Sequence, residues 1–98
     1  MPVYMISYDI PEGNPSYEKA IEYREKELGA KRVLKSQWLL IHEGDSEAIL
    51  KELKLKGGTQ KDDCLLVHRV VARDFAWENS ILPGDDLTLL LAAGEDET

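Results

Sequence analysis

Ninety-eight residues, 43% hydrophobic and 32% charged, bound this chain to one small domain with a large share of exposed surface, which self-association would help to cover. No run approaches the roughly 18 apolar residues of a membrane span, and a lone cysteine, Cys64, excludes an internal disulfide and a Cys-rich zinc site. The net charge of −7 comes from the C-terminal part: residues 1–73 hold all 12 Lys and Arg beside 12 acids, and residues 74–98 hold seven acids and no base, so general nucleic-acid affinity is disfavoured while a local basic patch in the neutral body is not.

Met1-Pro2-Val3-Tyr4 enters apolar residues with neither a basic region nor an Ala-x-Ala site, so a cytoplasmic location is expected. Val3 to Asp9 is apolar, aromatic and β-prone, and Ile10-Pro11-Glu12-Gly13-Asn14-Pro15 closes it with turn residues, which predicts a first strand. Asn14 and Pro15 suit the N-cap and first position of a helix, and Tyr17, Ala20, Ile21, Arg24 and Leu28 keep helical spacing up to Gly29. The opposite face holds Glu18, Lys19, Glu22, Glu25, Lys26 and Glu27 and reads as solvated.

Lys31 to His42 is β-prone, either as one bent strand or as a hairpin turning near Lys35-Ser36, where no Gly or Pro eases the turn. Gly44-Asp45-Ser46 offers a loop and a cap for a second helix, with Ala48, Ile49 and Leu53 at helical spacing and an end at Lys56-Gly57-Gly58. Cys64 to Val71 is a nearly continuous apolar run of the kind expected for a central strand, which makes Cys64 a buried hydrophobe. Two strand-helix-strand crossovers of the usual hand put both helices on one face of the sheet, the ferredoxin-like βαββαβ plan of the α/β (α+β) class. Pro83-Gly84-Asp85-Asp86 marks a turn, and the apolar segment Leu87 to Ala93 suits either covering the bare sheet face or pairing with a partner's edge as an extra C-terminal strand. Residues 1–94 are thus expected to form one domain, with Glu95-Asp96-Glu97-Thr98 as a disordered acidic end.

Asp9 is the first candidate for chemistry, because it ends the first strand ahead of a Pro- and Gly-containing loop. Its carboxylate suits either a turn cap or a divalent cation, and one carboxylate is too few for Mg²⁺ unless a two-fold axis brings a second copy or substrate phosphates complete the shell. His42 falls on the face of Trp38 and Leu40, and His68 on that of Leu66 and Val70. They are half-buried sheet residues or, on adjacent strands, a pair for acid-base work, with no triad partner set by spacing. Lys31, Arg32 and Lys35, with Arg69 and Arg73, form the basic clusters, and Tyr4, Tyr8 and Trp38 nearby give a cation-aromatic mixture fit either for nucleic acid or for salt links to the acidic tail. There is no P-loop, dinucleotide fingerprint, zinc pattern or coiled-coil heptad.

Tyr8-Asp9-Ile10 closing strand 1, a helix ending at Gly29, Arg32-Val33-Leu34-Lys35-Ser36 before a second hydrophobic stretch, and Asp62-Asp63 leading into the last sheet strand resemble the small CRISPR-associated ferredoxin-like nucleases of the adaptation complex and their VapD-type relatives, over roughly residues 3–71. Lys35-Ser36-Gln37-Trp38-Leu39-Leu40, Asp62-Asp63-Cys64-Leu65-Leu66-Val67 and Ala76-Trp77 are similar to the uncharacterised SinR-like proteins grouped beside that family. The resemblance implies a ferredoxin-like homodimer whose C-terminal strand packs on the partner's sheet, and an Asp9 that faces its symmetry mate and binds the metal activating water for phosphodiester cleavage. It matches Ser36 and Arg32 to a serine and a basic residue of the family. The chain departs from the family in its acidity and in Gln37-Trp38, which stand where a small apolar residue and Phe are usual. The expectation drawn from residues and resemblance together is a homodimer acting on RNA or DNA, an Mg²⁺-dependent endoribonuclease or a scaffold, with Asp9 as the catalytic and metal-binding residue and Tyr8, Arg32, Lys35 and Ser36 touching nucleic acid. The reading from a different class is a noncatalytic interaction or regulatory module whose acidic tail engages a basic partner.

Overall fold

A computed structural model describes residues 1–9, 21–56, 63–71 and 74–94. In chain order these hold β1 (Val3–Asp9), a π-helical turn (Tyr23–Glu27), β2 (Lys31–Leu34), β3 (Gln37–Ile41), α1 (Ser46–Lys56), β4 (Cys64–Val70) and α2 (Gly84–Ala93). The four strands form one sheet in the order β2-β3-β1-β4 with every neighbouring pair antiparallel, an α+β arrangement. Asn14 and Pro15 lie outside the described residues, as do 95–98. The described end of the expected first helix is the π turn, and Gly29 at φ 73° stops it in the left-handed region that glycine enters most readily.

Alternation along β1 divides the core in two. Tyr4, Ile6 and Tyr8 face one side, with Trp38 and Leu40 of β3, Tyr23 of the π turn, and Ile49 and Leu53 of α1. Val3 and Met5 face the other, with Val33, Leu39 and Val70, and Leu87 and Leu91 of α2 cover them. A strand covered on both faces must be apolar on both, which is why β1 reads as a nearly unbroken apolar run. Helix α1 starts as expected, with the Asp45 carboxylate accepting the Ala48 N–H at 2.8 Å, and ends at Lys56 with Lys54 and Lys56 near its negative pole.

Lys31 to Ile41 is a hairpin that turns at Lys35-Ser36, and side chains replace the missing glycine. The Lys35 carbonyl accepts from Arg32 Nε at 3.1 Å, Arg32 Nη2 at 2.6 Å and the Tyr8 hydroxyl at 3.0 Å, and the Ser36 carbonyl accepts the Tyr8 N–H at 3.1 Å. Neither turn residue has a positive φ, and the β2–β3 register shifts between Arg32 and Leu34. A bulge there absorbs the twist mismatch that a turn of ordinary φ imposes on a hairpin.

Three expectations are corrected. The extra C-terminal strand used in dimerisation is instead α2, which covers this chain's own sheet face. Leu and Ala dominate the segment, Leu87 and Leu91 share a face at i,i+4, and Asp85 and Asp86 sit at the positive pole, so helix is the locally consistent state. Covering the bare face, the other use foreseen for this segment, is what it does. Among the described residues β4 pairs only with β1, which makes it an edge strand rather than a central one, and Cys64 is exposed at its start. Finally, His42 follows β3 while His68 lies on β4, with β1 between them, so the histidines do not pair across neighbouring strands.

Candidate functional site

The hairpin brings four of the five predicted site residues together. Tyr8 donates its single hydroxyl proton to the Lys35 carbonyl and accepts from Trp38 Nε1 at 3.3 Å and Arg32 Nη2 at 3.4 Å, a complete set for a phenol. The Arg32 guanidinium lies 5.5 Å from the Trp38 ring centroid, over its face. Tyr8 is 7% and Trp38 1% exposed, so neither ring offers a face for a base to stack on. Lys35 and Ser36 are exposed and Arg32 half-buried, which makes the turn a cationic rim with buried aromatics behind it, while the exposed Lys31 pairs with Leu39 and so stands on the other face of the same edge strand. Such a rim suits phosphates better than bases.

Asp9, the fifth residue, is exposed at the last position of β1, where its backbone partner is Cys64. Alternation turns it to the Ser7 face of the sheet, opposite the Tyr8–Arg32 cluster. Ser7 Oγ accepts from Gln37 Nε2 at 3.0 Å on that face. Among the described residues no group of three or more His, Cys, Asp and Glu could hold a metal ion. Asp9 thus belongs to no such group among the described residues, and a single carboxylate does not complete an Mg²⁺ site.

A second polar cluster was not foreseen. The Tyr23 hydroxyl donates to Glu52 Oε2 at 2.9 Å, and Glu52 Oε1 lies 3.8 Å from His42 Nε2. His42 Nδ1 accepts the Gly44 N–H at 2.8 Å, and the Gly44 carbonyl accepts the Tyr4 hydroxyl at 2.7 Å. Because Nδ1 is the acceptor, the neutral imidazole holds its proton on Nε2, facing Glu52, and cannot offer that nitrogen to a metal. Burial and the Glu52 hydrogen bond push the Tyr23 phenol up to about 12. Beside this cluster is an open hollow of about 350 Å³ lined by Glu22, Tyr23, Lys26, Glu27 and Lys56, of mixed charge. No spacing rule links Tyr23, His42 and Glu52, since they come from a π turn, a strand end and a helix.

His68 is exposed on β4, with Nδ1 3.1 Å from the Arg69 carbonyl. Arg73 lies outside the described residues. Among the described residues no helix is long and apolar enough to cross a membrane. Compared with known proteins, the chain matches no family model, no curated protein and no solved structure.

Proposed function

We propose that this chain is a ferredoxin-like βαββαβ protein that works in the cytoplasm as a homodimeric nucleic-acid-binding scaffold, touching the phosphate backbone along the rim of its β2–β3 hairpin. The fold part rests on the strand order β2-β3-β1-β4, in which β3 sits between β1 and β2 as a split βαβ unit requires. The function part rests on one observation. The Lys35 carbonyl gathers donors from Arg32 and Tyr8, so the turn that carries Lys35 and Ser36 is held rigidly, with Lys31 on the same edge. Cations on a preorganised edge bind phosphates with less ordering cost than cations on a loose loop.

The test is a fluorescence-anisotropy titration of labelled single-stranded RNA and DNA at low and at moderate salt. Binding that weakens with salt, and weakens by about tenfold or more in the Lys31→Glu/Lys35→Glu variant, is expected. Binding indifferent to both changes would remove the hairpin rim from the function.

A second reading, Mg²⁺-dependent endoribonuclease activity, is favoured by the exposure of Asp9 one residue beyond Tyr8 at the end of a central strand. It needs a second Asp9 from a partner, or the substrate's own phosphates, to complete the cation's shell. Metal-dependent RNA cleavage that EDTA and Asp9→Ala both abolish would carry it.

A further inference from the structure

The two edges of the sheet differ in how they resist further pairing. β2 is short, bulged and basic at Lys31, and its Val33 carbonyl already accepts the Ile81 N–H at 2.7 Å. These are the usual devices that keep an edge from recruiting another strand. β4 is longer and regular: its seven residues run against β1 without a bulge or proline, Arg69 is its one Lys or Arg, and among the described residues no other strand pairs with it. Leu66, beside its central residue Val67, is 57% exposed.

We infer that β4 pairs antiparallel with β4 of a second copy of this chain, around a two-fold axis at Leu66, to make a continuous eight-stranded sheet. This rests on the homodimer of the proposed function and names its surface. Opposite residues of an antiparallel pair share a face, so a two-fold register must centre on one residue. Centred on Leu66, the register sets each exposed leucine against its copy, Leu65 against Val67, Cys64 against His68, and Asp63 against Arg69, twice over. The strand is self-complementary in charge and apolar character in this register. Centring on Val67 instead sets Asp63 against Val71 and Arg69 against Leu65, and the charge match is lost.

The arrangement bears on the choice between scaffold and nuclease. Three strand spacings and four residues of stagger separate the two Asp9 positions by about 20 Å, too far for one cation to bridge. A dimer joined at β4 therefore favours the scaffold.

The experiment measures mass by light scattering for the wild type, Leu66→Lys, Asp63→Arg, and Asp63→Arg/Arg69→Asp, each checked for folding by circular dichroism. Expected is a wild type at twice the 11.1 kDa chain mass, at least about tenfold weaker dimers for the two single variants, and recovery in the charge-swapped pair. In case Leu66→Lys does not fold, Leu66→Cys in a Cys64→Ser background provides a second readout: oxidation should link it into disulfide dimers, while Leu89→Cys in the same background stays unlinked. A monomeric wild type, a dimer indifferent to both single variants, or no cross-link at position 66 overturns the inference. These outcomes are separate from RNA binding, so a β4-dependent dimer that binds no nucleic acid would refute the proposed function and leave this interface standing.

Discussion

The Tyr23 hydroxyl donates to Glu52 Oε2 at 2.9 Å and so ties the π turn to α1. Burial first, then the bond to Glu52 and the charges of Glu52 and Glu27, raise the phenol from 10.0 to about 12. The folded chain thus holds this proton more tightly than the unfolded chain. The resulting stabilisation is complete below pH 10 and is lost as pH rises toward 12. Urea midpoints measured across that window should fall more steeply for wild type than for Tyr23→Phe, and the variant should be weaker by about 1–2 kcal/mol at neutral pH.

Tyr8→Phe removes the acceptor of the buried Trp38 Nε1–H and one of the donors to the Lys35 carbonyl. A buried donor left unmade costs about 1–3 kcal/mol. Urea unfolding should register that loss, and nucleic-acid affinity should fall as well if the turn it braces is the phosphate rim.

Leu87 is fully buried against the Val3 and Leu39 side of the sheet, so Leu87→Ala should cost about 2–5 kcal/mol in urea unfolding. Deleting residues 84–98 should do more than dissociate a dimer. It uncovers Val3, Met5, Leu39 and Val70 within one chain, and a loss of cooperative unfolding with strong binding of a hydrophobic dye is the expected result.

Two glycines should resist alanine for different reasons. At Gly94 an added Cβ would come within 2.5 Å of Val3 Cγ2 and 2.8 Å of Ile41 Cγ1, an overpacking worth about 1–3 kcal/mol. At Gly29 the added Cβ meets nothing within 4 Å, but φ 73° strains any L side chain by about 1 kcal/mol. Thermal melts should show both losses, and Gly29→Asn should recover part of the second, since asparagine tolerates that backbone.

The candidate rim was partly legible in the sequence. Lys31, Arg32 and Lys35 are close along the chain, and Arg32 reaches the Lys35 carbonyl over an i,i+3 spacing that a turn without glycine invites. Tyr8 joins them from another strand, and its burial with Trp38, which turns an expected stacking platform into a support, depends on α1 closing that face. Nothing local signalled the Tyr23–Glu52–His42 cluster, whose members meet only after packing.

What the sequence determined by itself was local: β1 by its apolar, β-prone run, α1 by the Asp45 cap and its 3.6-residue period, and the helix stop at Gly29. Tertiary structure alone decided that β4 is an edge and that α2 covers its own sheet as a helix. It also decided that Asp9 and the Arg32 cluster occupy opposite faces. The reason is range. Caps and periodicity act within a few residues, whereas lateral strand order and helix placement depend on contacts between segments tens of residues apart, where an apolar run suits a central strand, a half-exposed edge or a covering helix equally well.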